Sequence, residues 1–313
     1  MKQILVWLAA SLLCQNAVFV PTSASKAVNH TSNGNNKLIS HARATRPVSK
    51  TDSTNKNAPK NKTPDRKASI SAFIINGRTT RRGEFPHQVA IYMDEEHFCG
   101  GSLISNTHVL TAAHCVATYQ SFELIFGASN RDGSNSGVVK MKAKNKIQHP
   151  SYSTFSLVND IALLVLPKPI KFTSAIKKIS LASPTQAKNL LQRGALLTVA
   201  GWGKTSDAEE TIGDELVSTT LRVLSNQDCN RIYGYENYMP TAHSSICVIG
   251  NKKSATCQGD SGGPVIMKEN NVLYQVGIVS YGSANGCEAG DPEVLTKVAS
   301  YRNWISSMTG VKI

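Results

Sequence analysis

The hexapeptide Gly259-Asp260-Ser261-Gly262-Gly263-Pro264 sets a serine within a run of glycines. A serine hydroxyl is a poor nucleophile unless a neighbouring base takes its proton as it attacks. The flanking glycines let the chain turn tightly and bring amide N–H groups towards the charge that develops on an attacked carbonyl oxygen. A base is offered by Thr111-Ala112-Ala113-His114-Cys115, where a histidine stands beside a cysteine that can pin it. A carboxylate is offered by Asn159-Asp160-Ile161-Ala162-Leu163-Leu164, where an aspartate enters an apolar run. A lone histidine or aspartate is more often structural. Together with the serine they form the set that acyl transfer needs: a nucleophile, a proton carrier and an anion that orients the carrier.

The elements that must hold these residues are strands. From Ile74 onward, short β-branched and aromatic runs alternate with Gly, Asn, Asp and Pro. They include Gln88 to Tyr92, Phe122 to Phe126, Leu196 to Ala200, Glu215 to Leu224 and Leu273 to Val279. Many short strands with turn signals predict an all-β barrel or sandwich. Only Val298 to Met308 reads as a helix, with Val298, Tyr301, Trp304, Ile305 and Met308 on one face.

Upstream of Ile74 the chain has another character. Met1 and Lys2 precede an apolar run, Ile4 to Leu13, too short for a membrane span and placed as a secretory signal should be. Small residues around Thr22 to Ala24 suit cleavage, so a signal peptide is predicted over residues 1–24. Residues 25–73 are rich in Ser, Thr, Asn, Lys and Pro and carry ten Lys or Arg against Asp52 and Asp65. Such a segment cannot bury enough apolar surface to offset its chain entropy, and a disordered pro-segment is predicted. Its sequons, at Asn29 and Asn61, offer glycosylation sites.

The formal charge of the whole chain is +13, but residues 74–313 hold 23 Lys or Arg against 19 acidic residues. The charge therefore argues for a solvated basic leader, not for a nucleic-acid-binding fold. Cys14 is lost with the signal, and six cysteines remain. In a secreted chain an even count reads as disulfides, with 15 connectivities open. Zinc is the competing use, but the chain has no CxxC pair.

The motifs together carry a resemblance. With Ile74-Ile75-Asn76-Gly77, Gly83-Glu84-Phe85-Pro86, Cys99-Gly100-Gly101-Ser102, Gly201-Trp202-Gly203 and Ser280-Tyr281-Gly282 beside the three above, residues 74–313 resemble the chymotrypsin-like serine protease family over its full domain length. The resemblance implies two antiparallel six-stranded β-barrels with a C-terminal helix. It implies His114 as general base and acid, Asp160 as its orienter, Ser261 as nucleophile, and the amides of Gly259 and Ser261 as oxyanion donors. It selects the disulfides Cys99–Cys115, Cys229–Cys247 and Cys257–Cys287.

It also implies a zymogen cleaved before Ile74, whose new ammonium would pair with Asp260. Phe73 precedes that bond where relatives usually have Arg or Lys, so the activator expected is a chymotrypsin-like protease or the enzyme itself. The specificity pocket would comprise Ala255 at its base, Ser280, Tyr281 and Gly282 on one wall, and Glu293 where relatives usually have glycine. Glu293 either enters the pocket as a displaced acid, as in some invertebrate collagenolytic relatives, or turns outward from an apolar pocket. Implied partners are protein or peptide substrates and protein protease inhibitors, for a monomeric secreted enzyme with neither metal nor cofactor. The region from Phe126 to Val138 lacks the paired glutamates relatives use for calcium. Two rival readings are an inactive homologue that acts by binding, and a basic-leader binder of polyanions.

Overall fold

Strand-forming runs separated by turn residues have to find partners far along the chain, and here they do so in two sheets. The computed structural model describes residues 74–75, 77–233, 243–251 and 254–311. The signal, the basic segment with Asn29 and Asn61, and Phe73 lie outside the described residues.

The first half of the chain supplies β1 (Arg78–Thr79), β2 (Gln88–Met93), β3 (His97–Leu103), β4 (His108–Thr111), β5 (Phe122–Phe126), β6 (Val139–Ala143), β7 (Lys146–Gln148), β8 (Ala162–Val165) and β9 (Ser180–Leu181). Seven of these pair in the order β6-β5-β2-β3-β4-β8-β7, all antiparallel. The outermost strands of that path, β6 and β7, are separated only by Lys144 and Asn145. Two residues span roughly 7 Å, so the sheet curves enough to bring the end of β6 near the start of β7.

The second half supplies α1 (Pro184–Leu190), β10 (Leu196–Gly201), β11 (Val217–Val223), α2 (Asn226–Tyr233), β12 (Ser245–Gly250), β13 (Pro264–Glu269), β14 (Val272–Tyr281), β15 (Glu293–Lys297) and α3 (Arg302–Thr309). Strands β10, β13, β14, β15, β12 and β11 form a closed antiparallel ring, with β1 on β11 and β9 parallel to β14. The architecture is the expected all-β pair, with a closed six-stranded barrel and, in place of a second six-stranded one, a half-barrel. One closes by hydrogen bonds on six strands; the other is a seven-stranded path that returns through a tight turn.

Two cores hold the halves. Leu197, Val199, Leu221, Val248, Val265, Val276 and Leu295 fill the closed ring. A larger cluster fills the first half and continues through Trp202, Ile278, Val298 and Ile305 into the second. Each such fully buried Leu, Ile, Val or Phe side chain contributes about 1.5–3 kcal/mol relative to exposure.

The C-terminal helical pattern appears as a 3-10 turn, Val298–Tyr301, followed by α3, which ends at Gly310 in the left-handed region. Two helices escaped the periodicity reading, α1 and α2, because each is only two turns long. Their signal was in the caps: Ser183 and Gln186 form a capping box around Pro184, and Ser225 receives the Asp228 amide.

Candidate active site

Asp160 ends the loop that leads into β8. The residue before it, Asn159, has a left-handed backbone (φ 58°), a region asparagine enters more readily than most residues. Its side chain is held at both ends: Nδ2 donates to the Ser151 carbonyl (2.8 Å) and Oδ1 accepts from Tyr301 Oη (2.9 Å). The Asp160 carboxylate is fully buried. One oxygen accepts from His114 Nδ1 (2.8 Å) and Ser280 Oγ (2.5 Å), and the other accepts from the His114 backbone N–H (2.9 Å).

Burial alone would push the Asp160 carboxyl up. The charge and hydrogen bond of His114, with the Ser280 hydroxyl, outweigh it and hold the group below the ordinary aspartate value. Burial pulls the imidazole down, and Asp160 reverses that, leaving His114 above the ordinary histidine value. With Nδ1 committed to the carboxylate, Nε2 is the nitrogen left to accept a proton. It lies 3.6 Å from Cys115 Sγ, in the Cys99–Cys115 disulfide.

That disulfide is the platform for the nucleophile turn. Ser261 O accepts from Gly100 N (2.7 Å), next to Cys99. Gly262 has φ 76°, and a Cβ there would overlap the Thr111 hydroxyl and the Gly100 carbonyl and stand 3.1 Å from Cys115 Sγ. Only glycine lets the serine-bearing turn approach the histidine-bearing loop this closely. Within the turn, Asp260 N bonds Cys257 O, Gly262 N bonds Val279 O and Gly263 N bonds Asp260 O. The amides of Gly259 and Ser261 make no such bond among the described residues.

Behind the turn sits Asp260, also buried, with different company. Its oxygens accept from Gly203 N (2.8 Å) and Cys257 N (2.9 Å), both uncharged donors. Burial pushes its carboxyl up to about 6, with the two amides opposing. Ile74 is fully buried, and Ile75 bridges to Ala255, so the start of the domain runs beside the expected pocket base.

Glu293 turns inward; the outward alternative does not hold. It is 5% exposed, and its oxygens accept from Thr256 N (3.0 Å) and the Thr256 hydroxyl. A Cβ on Gly282 would lie 3.8 Å from Glu293 Cγ, so the two expected walls face each other. Burial pushes the Glu293 carboxyl up to about 7, against the pull of Thr256, and the Asp260 charge adds to the push. Tyr281 pairs with Val294 at the end of β14, and Ser280 proves to be the hydroxyl on Asp160 rather than only a wall residue.

The chain matches the Trypsin family over residues 74–305. The chain belongs to the Trypsin family. It is 36% identical over 238 residues to Brachyurin of Leptuca pugilator, a match covering 76% of this chain and 99% of that protein. It is 34% identical to Serine protease 1 of Drosophila melanogaster, over 80% of this chain and 90% of that one. The solved structure of HL collagenase is similar with a TM-score of 0.67 and 32% identity, covering 77% of this chain and all of that one. Like these relatives, the chain is a serine endopeptidase.

For a Trypsin-family chain, three disulfides stand where the resemblance implied them: Cys99–Cys115, Cys229–Cys247 and Cys257–Cys287. The structure adds residues that sequence reading passed over. Thr256 donates twice to Glu293. Asp207 accepts from the Cys287 (2.8 Å) and Glu288 (3.0 Å) amides, and Glu288 accepts from the Asp207 amide (2.9 Å), a reciprocal clasp between two loops. The partners lie about eighty residues apart, so no local pattern could announce them. Among the described residues no helix is long and apolar enough to cross a membrane.

Proposed function

We propose that this Trypsin-family chain hydrolyses peptide bonds through Ser261, His114 and Asp160. The observation that carries the reading is the docking of two units. One is a histidine whose Nδ1 is spent on a buried carboxylate; the other is a serine turn seated on that histidine's own disulfide. His114 Nε2 takes the Ser261 Oγ proton as the Oγ–C bond forms, then delivers it to the leaving nitrogen as the C–N bond breaks. Water repeats the cycle on the acyl-enzyme. The unspent amides of Gly259 and Ser261 are the donors for the tetrahedral oxyanion, and losing one such donor costs roughly 10²–10³ in kcat.

The chain is read as a secreted zymogen. Cleavage after Phe73 converts the Ile74 amide nitrogen into an ammonium, the cation that Asp260 otherwise lacks among the described residues. The pocket, with Ala255 at its base and an acid on its wall, fits chymotrypsin-like to broad specificity and not a plain preference for Lys and Arg. Partners would be peptide or protein substrates, protease inhibitors, and an activating chymotrypsin-like protease or a second copy of the enzyme.

A serine-reactive fluorophosphonate applied to the activated protein tests the reading. Labelling is expected at Ser261, absent in Ser261→Ala, with Edman sequencing giving Ile-Ile-Asn-Gly. Activity surviving in Ser261→Ala would refute the nucleophile, and another N-terminus would refute the activation site.

A further inference from the structure

Two consecutive amides hold two buried carboxylates. Thr256 N donates to Glu293 Oε1 (3.0 Å) and Cys257 N donates to Asp260 Oδ2 (2.9 Å). A two-residue segment next to Ala255 is thus gripped from both sides by acids, 5% and 1% exposed. No ion pair reaches either acid among the described residues.

A buried carboxylate supplied only with neutral donors must meet a cation or take up a proton. The two acids differ in what can meet that need. Asp260 faces the activation side, where the Ile74 ammonium forms once. Glu293 faces Gly282 across the substrate side, where the arriving side chain changes from one substrate to the next.

Among the described residues the ionisable surroundings of Glu293 offer no cation of its own, and the ammonium that activation would free at Ile74 is taken up by Asp260. The neighbouring strand β12, paired through Val248, carries none beyond disulfide-bonded Cys247. The end of β14 brings Tyr281. The nucleophile turn brings Asp260, whose charge adds to the push of burial. Two residues upstream, Asp291 is held by Ser283 Oγ (2.6 Å) and Asn285 Nδ2 (2.9 Å). The cation of its own strand, Lys297, stands four residues along. In the uncleaved chain burial with these neighbours pushes the Glu293 carboxyl up to about 7, and burial, the largest cause, persists once Asp260 is paired.

We infer that Glu293 is a proton-gated selector of the side chain at the cleaved bond: protonated, it lines an apolar pocket for aromatic residues and Leu; ionised, it accepts Lys or Arg. The Thr256 hydroxyl serves both states, donating to the anion or accepting from the acid. The inference rests on the endopeptidase reading of the same site.

The test uses the activated enzyme and two peptides that differ only in Arg or Phe at the cleaved residue, from pH 5.5 to 9. Titration of His114 affects both peptides alike and cancels in the ratio of their kcat/KM values. The Arg-to-Phe ratio is expected to rise roughly tenfold per pH unit below neutrality and level off above it, one proton being released. In Glu293→Gln the ratio should be flat. A wild-type ratio that does not change with pH, or a rise that persists in Glu293→Gln, overturns the gate. Should Glu293→Gln fail to fold, the wild-type ratio alone decides. Cleavage of neither peptide removes the endopeptidase reading and the gate with it.

Discussion

Asp160 lies in one region of the cleft, Asp260 and Glu293 in another, and all three carboxylates are buried. Asp160 is given an imidazole and a hydroxyl; Asp260 and Glu293 are given amides and a threonine. Desolvation opposes ionisation in both places, yet the outcome is opposite: Asp160 is held below its ordinary value, while the other two are pushed up to about 6 and about 7. A resident imidazole and hydroxyl, donors that stay in place, make a buried acid a fixed charge. Neutral donors leave it conditional on something that arrives later, whether a new N-terminus, a substrate or a proton.

The sharpest way to break the comparison is to neutralise the fixed charge. Asp160→Asn leaves the shape but loses the anion that holds the His114 tautomer, and kcat on an amide substrate should fall about 10⁴-fold. Asp260→Asn should separate the two forms of the protein. In the activated form it strands a buried ammonium, a loss of roughly 3–5 kcal/mol that should lower kcat/KM by about 10²–10³-fold. In the uncleaved precursor it removes an uncompensated buried acid, so the melting temperature should hold or rise. A parallel loss in both forms would mean that Asp260 matters only as packing.

Smaller effects sharpen the picture. Asp207→Ala removes a charge-assisted acceptor for two amides and should raise KM by about tenfold with kcat nearly unchanged. Asp207→Asn, which keeps an acceptor oxygen, should recover part of the loss. An equal fall in kcat would place the clasp in the chemistry and not in positioning. Last is the precursor's stability against pH. The folded Glu293 pKa, about 7, lies above its ordinary 4.5, so across that window the folded protein holds a proton that the unfolded chain releases. Stability should fall as pH rises from 4.5 to 7 and stay lower above it. In Glu293→Gln that fall should shrink, a difference of about a few degrees in Tm. Asp160 runs the other way: its contribution is present above its ordinary 3.8 and is lost on acidification.

Much of the site was legible because its residues sit inside local patterns. Glycines around Ser261, an alanine-histidine-cysteine run and an aspartate entering a strand are statements about neighbours in sequence. The strand from Phe122 to Phe126 appears at the bounds that its composition suggests. What stayed hidden depends on residues far apart in the chain. The inward turn of Glu293 follows from the pairing of β15 with β12 and from Thr256, 37 positions away. The role of Ser280 on Asp160 spans 120 positions. Helices α1 and α2 were too short for periodicity to outweigh the β signal around them.

The Asp207 clasp has a consequence for how freely this surface can change. Asp207 grips the backbone hydrogens at 287 and 288, and the Glu288 carboxylate grips the Asp207 amide in return, so the clasp depends on the acid at each end. Proline at 288 would remove both of that residue's grips, and any side chain at Gly286 would run into the carboxylate, its Cβ 2.5 Å from Asp207 Oδ2. Exposed Ala284 and Ala289 take no part in the clasp and can change in charge, size or polarity while the frame keeps its shape. The loop is a natural site for tuning what the enzyme meets without disturbing what it does.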